Sequence, residues 1–253
     1  MTHSRTAPDC ALVTGAGRRI GRAIALDLAR RGWRVGVHFG TSRAEAEAVV
    51  EDIRAEGGTS APFAADLADA AEAGRLIDTV TRAFGPVTCL VNNASLFLDD
   101  RIETLDVADW DRQFDINLRA PVLLAQHFAR ALPAERSGQI INIIDQRVLR
   151  PTPEYFSYAI SKAGLWTATQ MLAQALAPRI RVNGVGPGPV LRSIHQSDAD
   201  FAAEAASTLL GHGTTPQEIA AAVLFLLDQP AITGQMIAID GGQHLLWQTP
   251  GGA

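Results

Sequence analysis

Residues 11–32 read "ALVTGAGRRIGRAIALDLARRG". A short apolar run, 11–14, leads into a turn carrying Gly15, Gly17 and Gly21, and an amphipathic helical pattern follows. Strand, glycine turn and helix in that order put free backbone N–H groups and a positive dipole end beside a turn that a pyrophosphate can approach closely. A glycine triplet alone would also serve a plain tight turn. Its position between a strand and a helix is what points to a dinucleotide.

Outward from this unit the alternation continues. Strand patterns are expected at 11–14, 34–39, 60–65, 88–93, 139–144, 180–185 and 235–240. Helical patterns are expected near 20–31, 42–56, 69–84, 109–132, 155–177 and 216–228. The strands are apolar throughout, as in strands covered on both faces. The alternation predicts right-handed βαβ units and an α/β fold, a doubly wound parallel sheet of about seven strands with helices on both faces. Residues 1–253 show no linker and no internal repeat, so one domain is expected. Residues 186–214 interrupt the pattern with two Gly-Pro pairs and a weakly helical stretch. Such an excursion inside a compact domain is expected to be a substrate lid.

Composition excludes several classes. Of 253 residues 47% are hydrophobic and 19% charged, with net charge −5. That suits a large core and no nucleic-acid partner. The N-terminal "MTHSRTAPDC" has no apolar stretch of a signal peptide, and no apolar run approaches a membrane span. The chain reads as soluble and cytoplasmic, with a small-molecule substrate. Cys10 and Cys89 each adjoin an apolar run and read as core residues. His127, His195, His212 and His244 lack metal-ligand spacing, so no metal is expected.

The chemistry is carried by "IINIIDQRVLRPTPEYFSYAISKAGL", residues 140–165. Tyr158 and Lys162 stand four apart and share one helix face. A nearby ammonium favours phenolate, so Lys162 is expected to lower the Tyr158 pKa towards neutrality. Such a Tyr exchanges a proton with substrate while a nicotinamide exchanges hydride. An apolar run upstream ends on Asp145, which could also simply pair with Arg147 or Arg150. The second strand ends "VGVHFGTSRAEAE" with no acid before Glu45 to hold a ribose 2′-OH. His38, Thr41, Ser42 and Arg43 are donors suited to a 2′-phosphate, and with Arg18 they favour NADPH.

"TGAGRRIG", "NNAS", Asn117 in "FDINLRAP", "YAISK", "RVNGVGPG" and "IDGGQ" together resemble the short-chain dehydrogenases/reductases over nearly the whole chain. The resemblance implies a Rossmann fold. It implies Asn117, Tyr158 and Lys162 as catalytic, with Lys162 also on the nicotinamide ribose. It places cofactor contacts on Gly15, Gly17, Arg18, Arg19, Ile20, Gly21, His38, Phe39, Thr41, Ser42, Asp66, Leu67, Asn93, Ala94, Ser95, Pro187, Gly188 and Val190. Asp66 would contact adenine, and it also suits a helix N-cap.

Two departures narrow the resemblance. Arg19 occupies the middle glycine of the T-G-x-x-x-G-x-G turn, and Asp145 stands where most members have Ser. The pteridine reductases and dihydromonapterin reductases are similar on both points. In them the residues corresponding to Ser95 and Phe97 hold the pterin, Phe97 by stacking. Thr41 departs from them, standing where they carry a basic residue. The implied activity is NADPH-dependent reduction of a dihydropterin such as dihydromonapterin, dihydrobiopterin or dihydrofolate. Tyr158 would be the proton donor, aided by Lys162 and Asp145, with Arg19, Ser95, Phe97, Asp145 and Tyr158 on the substrate. A carbonyl reductase acting on a 3-oxoacyl thioester or small ketone shares the Tyr/Lys pair but leaves Asp145, Phe97 and Arg19 unexplained. A non-catalytic NADPH sensor would have no need of a tuned Tyr. The resemblance also implies a homotetramer, built on helices near 109–132 and 155–177, with Leu245, Leu246 and Trp247 within reach of a neighbour.

Overall fold

The computed structural model describes residues 9–193 and 195–247. The strands are β1 (Cys10–Val13), β2 (Arg34–Phe39), β3 (Ser60–Ala64), β4 (Val87–Asn92), β5 (Gly138–Ile143), β6 (Ile180–Pro187) and β7 (Met236–Ile239). The helices are α1 (Arg19–Arg30), α2 (Arg43–Ala55), α3 (Ala70–Phe84), α4 (Val107–Phe114), α5 (Ala120–Ala131), α6 (Phe156–Leu176), α7 (Asp198–Ala206) and α8 (Pro216–Asp228). The strands form one sheet in the order β3-β2-β1-β4-β5-β6-β7, and every pair is parallel. The order reverses between β1 and β4, the switch point where such sheets bind ligands.

The two-residue period of a strand divides the apolar runs between the faces. Ala11 and Val13 join Val49, Ile53, Ile219 and Val223 beneath α1, α2 and α8. Cys10 and Leu12 join Leu76, Val80, Leu124 and Phe128 beneath α3 and α5. Cys10 and Cys89 are buried free thiols, and burial pushes each up to about 12. Asp69 caps α3, Asp106 caps α4, and Thr215 with Glu218 forms a capping box on α8. Asp66 lies upstream of that first cap, its Oδ1 accepting the N–H of Ala68 instead.

The helix expected over 109–132 is divided. α4 passes through a π turn, Asp115–Arg119, into α5, and the N–H of Ala120 bonds to the carbonyl of Asp115, five residues back. Pro121 follows and has no N–H to give the carbonyl of Asn117. The widened turn brings Asn117 inward, fully buried. In the expected lid, β6 runs on to Pro187, and α7 then forms over 198–206 without burying a single side chain.

Candidate active site

The turn after β1 is shaped by close backbone approach. Gly15 has φ +61°, and a Cβ on Gly21 would lie 2.3 Å from the Gly15 carbonyl oxygen. Asn93 Nδ2 donates to the carbonyls of Thr14 and Gly15, at 2.9 and 3.1 Å. Thr14 Oγ1 accepts the N–H groups of Asn93 and Ala94, so the ends of β1 and β4 are locked together. α1 begins with neither a side-chain cap nor an acid in its first turn. A glycine-lined approach to an uncapped helix N-terminus fits the pyrophosphate of a dinucleotide.

His38 does not take the role expected of it. It is buried, its Nδ1 accepting the N–H of Gly15 at 3.1 Å and its Nε2 facing the carbonyl of Ala65 at 3.1 Å. Burial lowers its pKa to about 4, so it is a neutral brace for the glycine turn rather than a phosphate donor. Phe39 is buried in the core with the Arg43 guanidinium 5.2 Å above its ring. Thr41 and Arg43 are exposed at the end of β2, Ser42 is half-buried, and Arg18 is exposed with Glu45 3.6 Å away. Leu67 is buried, and Asp66 lines a cleft of about 470 Å3 with Gly40, Glu72 and Arg75.

Arg19 departs more sharply. It holds φ +54°, the left-handed conformation that a glycine would adopt freely. Its guanidinium donates to the carbonyls of Leu191 and Arg192, at 2.8 and 2.9 Å. It therefore clasps the segment after β6. Ile20 packs half-buried against the core. Gly188 donates its N–H to Ile239, and a Cβ there would lie 2.7 Å from Asp240 Cα. Pro187 closes β6, and Val190 is buried beyond it.

The acid, phenol and ammonium lie where β5 meets α6. Tyr158 Oη donates to Asp145 Oδ2 at 2.9 Å, and Asp145 Oδ1 accepts the N–H of Arg147 at 2.8 Å. Lys162, buried, donates from Nζ to the carbonyl of Ile143 at 2.8 Å and sits 5.7 Å from the Tyr158 ring centroid. Burial raises the Asp145 pKa, against the pull of the Arg147 N–H and charge. Burial also lowers Lys162 to about 8, opposed by Asp145. The expected lowering of Tyr158 is overturned: burial, then the charge and hydrogen bond of Asp145, hold the phenol well above its usual range. Lys162 faces the Ile143 carbonyl, and Asp145 is the charged group that meets the phenol oxygen, with the Ser95 side chain as a second hydrogen-bond partner.

Asn117 ties this site to β4. Its Oδ1 accepts Ser95 Oγ–H and the N–H of Leu96, and its Nδ2 donates to the Leu96 carbonyl and to Ser161 Oγ. Ser95 is exposed at the mouth. Phe97 stands between two tyrosines, stacked on Tyr155 at 4.4 Å and edge-on to Tyr158 at 4.7 Å. Tyr155 escaped the sequence reading, although it lies three residues before Tyr158, one turn back on the same face. It holds φ +53° at the start of α6. Arg147, read from the sequence only as a partner for Asp145, lies 5.0 Å over the Tyr155 ring.

A family model described as enoyl-(acyl carrier protein) reductase matches residues 15–244. The chain belongs to the short-chain dehydrogenase/reductase family. Among curated relatives of this short-chain dehydrogenase/reductase is the 3-oxoacyl-[acyl-carrier-protein] reductase FabG of Staphylococcus aureus. It is 37% identical over 240 residues, 93% of this chain and 98% of the relative. Among solved structures, FolM alternative dihydrofolate reductase 1 of Brucella canis, complexed with NADP, superposes with TM-score 0.94 at 45% identity. The match covers 98% of this chain and 99% of that one. A short-chain dehydrogenase of Burkholderia cenocepacia, also in complex with NADP, gives 0.88 at 35% identity, over 95% of this chain and 99% of that one.

Proposed function

We propose that this oxidoreductase is an NADPH-dependent reductase of a dihydropterin-type substrate. The observation that carries the reading is the Asp145 carboxyl hydrogen-bonded to Tyr158 at 2.9 Å. A carboxyl whose pKa is raised by burial takes up a proton more readily than an exposed one and can pass it toward a ring nitrogen, which a Ser hydroxyl does not. The NADP held by the Brucella and Burkholderia structures, and the absence of an acid at the end of β2, support NADPH. The uncapped start of α1, with Gly15, Gly17 and Gly21, would hold its pyrophosphate, and Lys162 its nicotinamide ribose. When bound, NADPH supplies the hydride. Tyr158 Oη delivers the proton to the substrate nitrogen, and the Asp145 carboxyl, once it has taken up a proton from solvent, returns one to the phenolate along the contact at Oδ2 that they share. Ser95 and Phe97 orient the ring, and one face of Phe97 is already covered by Tyr155.

A second reading, reduction of a 3-oxoacyl thioester, is favoured by the likeness to FabG. NADPH oxidation with dihydromonapterin, dihydrobiopterin and dihydrofolate, against acetoacetyl thioester, separates the two. Pterin turnover that falls about 100-fold in Asp145→Ser supports the proposal. Turnover of the thioester alone, unaffected by that change, replaces it with the carbonyl reading.

A further inference from the structure

Arg147 is a half-buried cation whose guanidinium forms no direct ion pair among the described residues, although its charge reaches Asp145 through space. Its side chain makes no ion pair or hydrogen bond among the described residues. The other arginines in that position, Arg75, Arg112, Arg130 and Arg150, are all exposed, where water solvates the charge. Arg147 instead lies over the outer face of Tyr155, which lies on Phe97. Its backbone N–H is fixed by Asp145 Oδ1 in the tight turn Gln146–Val148, so the side chain starts from a rigid point beside the reacting groups.

Of the acids whose charge reaches the Tyr155 ring, Asp99 is exposed and makes no ion pair with Arg147, and two others are engaged elsewhere. Glu154 pairs with Arg101 at 3.0 Å, and Glu204 accepts from Gln196 and Gln243. Asp145 faces Tyr158 and the Arg147 backbone rather than the guanidinium. A guanidinium lying over a ring by its carbon keeps its N–H donors, a planar fork, available to a ligand. A carboxylate is the group that matches such a fork with two parallel hydrogen bonds. Leaving a cation partly desolvated and unpaired is unfavourable, and an arriving anion reverses that cost.

We propose that Arg147 is a specificity residue that receives a carboxylate on the tail of a substrate whose planar ring lies beside Phe97. The ring part rests on the function proposed above, and the carboxylate part does not. Arg147→Met keeps the apolar stem over Tyr155 and deletes the fork. It is to be compared with wild type on two pairs: dihydrofolate against dihydrobiopterin, and acetoacetate against its ethyl ester. For whichever pair wild type turns over, the charged member is expected to lose at least about 10-fold in kcat/KM, mainly through KM, while the neutral member stays within about 2-fold. Equal losses on both members, or no loss on either, overturn the proposal and leave Arg147 a packing residue for Tyr155. Turnover of the carbonyl pair alone overturns the pterin reading and still tests Arg147. If neither pair is turned over, calorimetric titration of folate and pterin onto each protein makes the same comparison. Folate binding that weakens at least about 10-fold in the variant, with pterin binding kept, supports the proposal, and any other pattern overturns it. Circular dichroism of the variant, expected unchanged, keeps misfolding from imitating the result.

Discussion

Tyr158, Asp145 and Lys162 are each shifted by the burial they share, and burial disfavours charge on all three. The signs differ in consequence. The Asp145 pKa is raised in the fold from 3.8, so the native state binds the extra proton and stability falls as pH rises through that window. Asp145→Asn removes the titration and keeps an acceptor for the Arg147 N–H. Its Tm should match wild type near pH 4 and exceed it at pH 8; calorimetry at both values checks this. Lys162 is lowered from 10.5 to about 8, so its cation is fading above pH 8 in the native state. The rate is expected to decline through an alkaline limb near pH 8. In Lys162→Arg, which stays protonated, whatever activity remains should lack that limb up to about pH 10, read from the pH profile of kcat/KM.

Among the elements, the glycine turn and the segment after β6 are joined by a side chain in a glycine's place. Arg19 holds a left-handed conformation worth about 1 kcal/mol of strain to a non-glycine residue. Its bonds to Leu191 and Arg192 link the cofactor turn to a segment whose helix α7 buries nothing. Arg19→Gly should therefore leave the global Tm unchanged or slightly higher, yet speed proteolytic cutting within 191–213. Limited proteolysis followed by mass spectrometry checks it; equal cutting rates would mean that the clasp does not restrain that segment. The π turn is a second device of this scale. It supplies Asn117, whose four hydrogen bonds connect the mouth at Ser95 and Leu96 to Ser161 on α6.

For the whole molecule, one continuous sheet carries a core on each face, yet large apolar side chains remain outside it. Val122 on α5, Ile160 and Met171 on α6, and Phe225 on α8 are exposed, as are Leu245 and Trp247. Apolar faces of this kind on a folded chain mark association surfaces. The expected outcome is a tetramer mass in light scattering that falls on introducing Ile160→Glu with Met171→Glu. A monomeric wild type would refute the association. Among the described residues no helix is long and apolar enough to cross a membrane.

The fold was legible because its signals are local. Apolar runs of strand length, glycines at the first turn and helical periodicity between them survive in one dimension, and the strands appear within two residues of their expected bounds. The Tyr158–Lys162 pair and Asp145 were legible for the same reason, since one helix and one strand end place them. What the sequence did not carry depends on long-range neighbours. Whether His38 faces solvent or the glycine turn is decided by the burial of β2 under Ala65 and Gly15. The direction of the Tyr158 shift is decided by its burial and then by which charge meets its oxygen, and Asp145 does so while Lys162 faces a carbonyl. The π turn depends on a proline just past its end and on partners in β4 and α6. Periodicity reports which face of an element is apolar; only packing reports which polar groups are left together inside.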